Sequence, residues 1–294
     1  MSYQVVVPLE GSAVDDEVIP FVRRFATRPD TRITLLHVLP DLTPFVREHI
    51  DAECGRERQR LCAFRDRLDV DAPDTDCELR MGDPVREILK FAALQPADLI
   101  IMPAHGRRGL DRLIHGSVTE DVLRMARCPL LLPPAGAGRS PERDIDHLFD
   151  RILVPIDGSG SSFGIIPLVV EFARNYTSEV ILFHDYADAS DNGGFLDSGS
   201  VDKRIQDYRA LLGYAGISVS TEATGSGRPV EDILEAVSTT NADLVAMATH
   251  GRRGLEFLTT GSVVGHVLRH AARPMLVCNT NPGMAPENGE SYFG

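Results

Sequence analysis

Apolar residues along the chain fall into short β-branched runs that alternate with stretches of helical spacing. Val5 to Val7 is one such run, stopping at Pro8 and followed by Leu9-Glu10-Gly11-Ser12. Ile152-Leu-Val-Pro155, followed by Ile156-Asp157-Gly158-Ser159, repeats it 147 residues later. Each predicts a strand, a sharp turn carrying a carboxylate, and then a helix, over residues 14–27 and 161–176. Ile33 to Val38 and Val180 to Asp185 predict second strands at the same offset, with His37 and His184 packed at their ends through a satisfied N–H. Charged helices are expected over 53–68 and about 200–213. Gly82-Asp-Pro-Val and Gly227-Arg-Pro-Val each read as a loop with proline in the first turn of a helix. Leu244 to Met247 is a short buried strand, and Val263, Val264, Val267, Leu268 and Ala271 paint one helical face. Terminal strands at 129–132 and 274–277 close the pattern.

The run from Met102 to Val118 matches that from Met247 to Val263 in length, with His-Gly-Arg-Arg-Gly-Leu and Gly-Ser-Val identical. Gly106 to Gly251 and Gly116 to Gly261 are both offsets of 145, against 147 earlier, so the second half loses two residues between His37 and Gly82. The chain is an internal duplication. Strands alternating with helices imply parallel sheets with helices on both faces and ligands at the carboxyl ends of the strands. The division expected is residues 1–134, a linker over 135–150 built around Pro133-Pro-Ala-Gly-Ala-Gly-Arg-Ser-Pro141, a second domain over 151–280, and a loose tail over 281–294.

At 294 residues and 43% hydrophobic content, the chain can build two cores. A net charge of −13 excludes a general nucleic-acid binder. Locally the sign reverses: Arg107, Arg108 and Arg112 stand against Asp111 in the glycine loop. Five cysteines with no CxxC pair and no metal-ligand spacing read as free thiols in a reducing cytosol. No apolar run approaches the roughly 18 residues of a membrane span. A cytoplasmic protein is expected.

A strand that runs into a glycine-punctuated loop ending at a Gly-Ser helix start gathers backbone N–H groups under the positive end of a helix. That is a seat for phosphate. Arg252 and Arg253 can add charge-assisted contacts there. No GxxxxGK[ST] loop, serine-nucleophile motif or metal-ligand cluster is present, so any ATP hydrolysis is expected to be slow.

On these motifs each half resembles the universal stress protein family, whose nucleotide-binding members carry Gly-x2-Gly-x9-Gly-(Ser/Thr). The matching stretches here are Ala248-x2-Gly251-x9-Gly261-Ser262 and Pro103-x2-Gly106-x9-Gly116-Ser117. The Val-Pro-x-(Asp/Glu)-Gly-Ser turn and the closing Pro-containing strand match too. The resemblance implies an α/β fold of two tandem five-stranded parallel-sheet domains, adenine-nucleotide α-hydrolase-like and Rossmann-like, related by pseudo-twofold symmetry. It implies pairing of the two domains through their terminal strands, leaves a homodimer open, and names no protein partner. It also implies binding of ATP, with Mg²⁺ as companion of the triphosphate, in a stress sensor or regulator. Carried over, the site residues are Pro155, Asp157, Asp185, Met247, Ala248, Gly251, Gly261, Ser262 and Val263 in the second half. In the first they are Pro8, Glu10, Val38, Met102, Gly106, Gly116, Ser117 and Val118, with Pro103 at the first-glycine position. Pro103 removes a backbone donor, Glu10 adds a methylene, Ala248 suits the site unless positive φ is required, and Asp185 sets a charge where an apolar residue is expected beside adenine. The second half is therefore expected to be the better ATP site. The alternative is a nucleotide-free interaction scaffold whose glycine loops are vestigial turns.

Overall fold

A computed structural model describes residues 2–41, 47–68, 75–104, 117–139, 145–186, 198–250 and 263–280. The chain divides into two units, Met1–Asp146 and His147–Gly294. In the first, strands β1 (Tyr3–Leu9), β2 (Thr31–Leu39), β3 (Thr75–Met81), β4 (Leu99–Ile101) and β5 (Leu130–Leu132) form a parallel sheet in the order β3-β2-β1-β4-β5. Helices α1 (Ile19–Ala26), α2 (Arg47–Arg67), α3 (Pro84–Leu94) and α4 (Ser117–Met125) connect them. The second unit repeats this. Strands β6 (Arg151–Ile156), β7 (Glu179–Asp185), β8 (Val219–Thr224), β9 (Leu244–His250) and β10 (Met275–Thr280) pair in parallel in the order β8-β7-β6-β9-β10. Its helices are α5 (Gly160–Phe163), α6 (Ile166–Tyr176), α7 (Ser198–Tyr214), α8 (Pro229–Thr239) and α9 (Val263–His270). None of the described helices is long and apolar enough to cross a membrane.

Both sheets are buried on two faces. Val5, Val6, Val7, Ile33, Leu35, Leu99 and Ile100 in one, and Ile152, Leu153, Val154, Val180, Leu244 and Val245 in the other, are at most 2% exposed. Runs of this kind, apolar at every position, are what parallel strands covered by helices require.

The helix expected to run unbroken after the first strand is interrupted in each half. Residues 13–18 form a 3₁₀ turn before α1, and α5 stops at Phe163 before α6 begins at Ile166. Pro20 and Pro167 sit in the first turns of the second segments. Without an N–H, and with a ring that clashes one turn back, each can start a helix but not lie within one.

Helix α2 with the residue that follows it, and helix α7, lay matching residues inward: Glu57, Leu61, Phe64 and Leu68 against Val201, Ile205, the half-buried Tyr208 and Leu212, an offset of 144. The pairs Val38–Arg80 and Asp185–Thr224 carry the same 144 into the third strand. The second half therefore loses three residues before α7 and regains one before Gly227, rather than simply losing two.

The stretch read as a linker is anchored at both ends. The Gly136 amide donates to Glu17 Oε1 at 2.8 Å, and a Cβ on Gly138 would stand 2.2 Å from the Asp16 carbonyl oxygen. At the other end Phe149 is fully buried against Phe172 and Tyr176, at φ 76.

Candidate functional site

Strand order reverses between β1 and β4 and again between β6 and β9, so the turns after β1 and β6 lie beside the exits of β4 and β9. The registers Leu153–Val245 and Val6–Ile100, carried forward, set Asp157 level with Thr249 and Glu10 level with Ala104. The carboxylate turn and the entry to the glycine loop thus share one edge in each half, where parallel α/β sheets hold ligands. Gly106, Gly116, Gly251, Gly261 and Ser262 lie outside the described residues, as do the loop arginines. Ser117 and Val118 open α4, and Val263 opens α9. In the first half the loop's two ends are tied together: Thr119 Oγ1 donates to the Pro103 carbonyl at 3.0 Å.

Replacement of the motif's first glycine has different effects in the two halves. At Pro103 the ladder has already ended, β4 stopping at Ile101, as expected of a residue that cannot donate. Ala248 instead sits within β9, paired with Cys278. It is extended backbone and is absent from the residues at positive φ, so the reservation about Ala248 falls away.

In the first half the turn is internally satisfied. Asp15 is 4% exposed, and its carboxylate accepts the amides of Glu10 (2.9 Å), Gly11 (2.8 Å) and Ser12 (3.1 Å). Ser12 is the N-cap of the 3₁₀ turn, accepting from the Val14 amide while its hydroxyl donates to Glu10. Burial raises the Asp15 carboxyl above its ordinary value, opposed by those three amides. Gly11 has φ 81, and a Cβ there would stand 2.8 Å from the Arg60 guanidinium. Arg60 in turn donates to Glu57 Oε1 at 3.0 Å, and Glu57 Oε2 lies 3.6 Å from His37 Nε2. The His37 Nδ1–H donates to the Leu9 carbonyl at 2.6 Å. A cavity of about 220 Å³ opens between this turn and α2, lined by Leu9, Asp15, His37, Arg60 and Phe64 among others.

The second half has the same backbone and different side chains. Gly158 again has φ 81, but the neighbour a Cβ would meet, at 2.9 Å, is a methyl of Val201. The position matching Asp15 is Ser162, whose amide donates to Ser159 Oγ at 3.1 Å and whose hydroxyl donates to the Ser159 carbonyl at 2.9 Å. Asp157 is exposed, and its Oδ1 accepts the Ser159 amide at 2.9 Å. His184 Nδ1–H donates to the Ile156 carbonyl at 2.6 Å, repeating His37. Asp185 is 6% exposed, inside the sheet edge rather than open to it. Beyond it, Tyr186 packs edge-on against His184 and donates to Asp202 Oδ1 at 2.5 Å, which with burial raises the phenol above its ordinary value. Phe163 and Tyr208 stack at 4.7 Å nearby.

Pro8, Pro155, Met102, Met247 and Ala248 are buried at the strand ends, whereas Val38, Val118 and Val263 are half-buried. Among the described residues no group of three or more His, Cys, Asp or Glu could hold a metal. Sequence reading missed Asp15, Glu57 and Arg60. The available signal was an acid, Glu57, at a position otherwise apolar in the spacing of Leu61, Phe64 and Leu68.

Comparison with known proteins places this geometry among relatives. The model of the Universal stress protein family matches residues 1–134 and again 148–279. A universal stress protein of Mycobacterium tuberculosis is 28% identical over 292 residues, covering 93% of this chain and 96% of that protein. One from Methanocaldococcus jannaschii is 31% identical over 139 residues, 44% of this chain and 80% of its own length. The crystal structure of a universal stress protein from Archaeoglobus fulgidus superposes with a TM-score of 0.75 at 21% identity, covering 96% of this chain and all of that one.

Proposed function

Because the chain belongs to the universal stress protein family, we propose that it is a stress-response protein that binds ATP through its second half, the first half being a weaker or vacant site. The observation that carries this reading is the state of the turn after the first strand. Asp157 stands exposed at the sheet edge beside the exit of β9, whereas in the first half the turn's amides are occupied by Asp15 and its glycine is covered by Arg60. An exposed carboxylate there can accept ribose hydroxyls with charge assistance. The Gly261-Ser262 approach to α9 would offer amides and a helix N-terminus to the phosphates. The buried Asp185 leaves backbone, rather than an apolar side chain, to meet the base. The scaffold reading is favoured for the first half alone, because an internal anion already fills its turn.

The test is calorimetric titration of the nucleotide-stripped full chain with ATP and Mg²⁺, for wild type, Gly261→Asp and Gly116→Asp. One site is expected, lost in Gly261→Asp and kept in Gly116→Asp. A folded wild type that takes up no ATP overturns the nucleotide reading. Equal loss in both variants overturns the ranking of the halves.

A further inference from the structure

We infer that the first-half cavity beside α2 is a binding site for a small α-amino acid with an apolar side chain. The cavity opens on one face of β2, the face that His37 turns toward Glu57 of α2. Side chains alternate along a strand, so Val38, which the family resemblance sets beside adenine, faces the other side. The cavity is therefore distinct from a nucleotide site on that other face. Its volume of about 220 Å³ falls below the roughly 300–1,000 Å³ of pockets for drug-sized molecules, which restricts it to a small ligand.

Two buried acceptors face each other here with no donor between them. His37 and Glu57 are each 8% exposed. The Leu9 carbonyl can only accept, so His37 Nδ1 carries the hydrogen of that bond, and a neutral ring then presents a lone pair at Nε2. That lone pair meets Glu57 Oε2 at 3.6 Å, beyond hydrogen-bond length. A ligand ammonium donates to both at once, and its charge compensates the buried carboxylate.

Arg60 supplies the complementary end. Its Nη1 donates to Glu57 Oε1 and Oε2 at 3.0 and 3.2 Å, and its other N–H groups have no hydrogen-bond partner among the described residues. Gly11 lets the guanidinium lie close, since a Cβ there would stand 2.8 Å from it. An α-amino acid carries its carboxylate beside its ammonium, so Arg60 holds the one while Glu57 and His37 hold the other. The other charged side chains of the lining are occupied, Asp15 by three amides and Arg67 by Asp16 at 2.7 Å. Leu9, Leu61 and Phe64 wall the space left for an apolar side chain. The second half lacks the acceptor pair. Val201 stands at the position of Glu57, and His184 Nε2 is buried with no hydrogen bond among the described residues.

The full chain is titrated calorimetrically with L-leucine and L-phenylalanine, then with the N-acetyl and amide forms of the tighter binder. At least one of the two amino acids should bind, at a single site. Its N-acetyl form, which has no ammonium, should not bind. Its amide, which has no carboxylate, should bind about tenfold more weakly. Glu57→Gln should abolish uptake, Arg60→Ala should weaken it about tenfold, and Gly261→Asp should leave it unchanged, which separates this site from the glycine loop of the second half. A folded wild type that takes up neither amino acid overturns the proposal. So does an acetyl or amide form that binds as tightly as its parent, or uptake that survives Glu57→Gln or falls with Gly261→Asp. The ligand series on the wild type decides alone if Glu57→Gln fails to fold.

Discussion

The first turn of the first half and that of the second share a backbone, each with glycine at φ 81, yet satisfy it in different ways. In the first half Asp15 gathers three amides, and Arg60, held by Glu57, covers the glycine. In the second half these positions are Ser162, Arg204 and Val201, and Arg204 lies over the Phe163 ring at 5.8 Å. The buried acids of the first-half edge, Asp15 and Glu57, each have compensating partners, as a buried ion must have to be tolerated. A duplicated fold can thus leave the carboxylate of one turn exposed while filling the amides of the other from within. The amide-rich turn that can serve an external anion can equally be filled by a carboxylate three residues further along the chain.

The largest effect should come from emptying the filled turn. Asp15→Ala leaves three amides without their acceptor, and a buried donor so stranded costs about 1–3 kcal/mol. A loss of about 3 kcal/mol is expected in denaturant unfolding monitored on the first unit. Ser162→Ala, which removes a single hydroxyl-to-carbonyl bond, should cost about 1 kcal/mol. Equal losses in the two variants would erase the distinction drawn between the halves.

Much of this architecture was legible in the sequence, because its signals are local. The runs at Val5–Val7, Ile33–Val38, Ile152–Val154 and Val180–Phe183 could only be buried parallel strands, and the repeated Gly-Ser turns gave the duplication. The breaks at Pro20 and Pro167 are equally local, yet the apolar spacing runs on through both prolines and so predicts a longer helix in each half. What escaped was relational. Glu57 reads as one more charge in a highly charged helix until α2 is laid on the sheet and His37 is found 3.6 Å away. Asp15 reads as a first-turn acid until three amides converge on it. Asp185 stands beside adenine only by the resemblance, and its burial depends on packing that no spacing rule reports.

A smaller effect tests the comparison from the other side. Ser162→Asp would offer the second turn the internal anion that the first possesses, as Asp15 does from the equivalent position. Filling that turn and setting a second negative charge beside Asp157 should weaken ATP binding about tenfold, or about 1.4 kcal/mol. Calorimetric titration reads the change, with thermal unfolding as a check on folding. Unchanged affinity would show that the turn's amides and Asp157 take no part in the site.

The smallest effect lies at the opposite end of the sheets, where one acid is exposed in the first half, at Asp98, and half-buried in the second, at Asp243. Asp98 and Asp243 each bridge two strands, accepting the amides of Gln4 (2.7 Å) and Arg151 (3.1 Å). Asp243 is pushed up from 3.8 to about 6, chiefly by burial, with the neighbouring Asp150 adding to the rise. A carboxyl whose folded value is raised favours its protonated form in the native state. Between about 4 and 6, therefore, the native chain holds more protons than the unfolded one, and stability falls as pH rises through that window. Asp243→Asn keeps a carbonyl oxygen for the Arg151 amide and removes the charge. It should leave stability at pH 4 unchanged, gain about 1 kcal/mol at pH 7 after allowance for partial solvent screening, and flatten the slope between. The comparison is Asp98→Asn in the same thermal unfolding series. A slope that survives Asp243→Asn would assign the titration to another group, and a gain at pH 4 as large as at pH 7 would mean that packing, not charge, had changed.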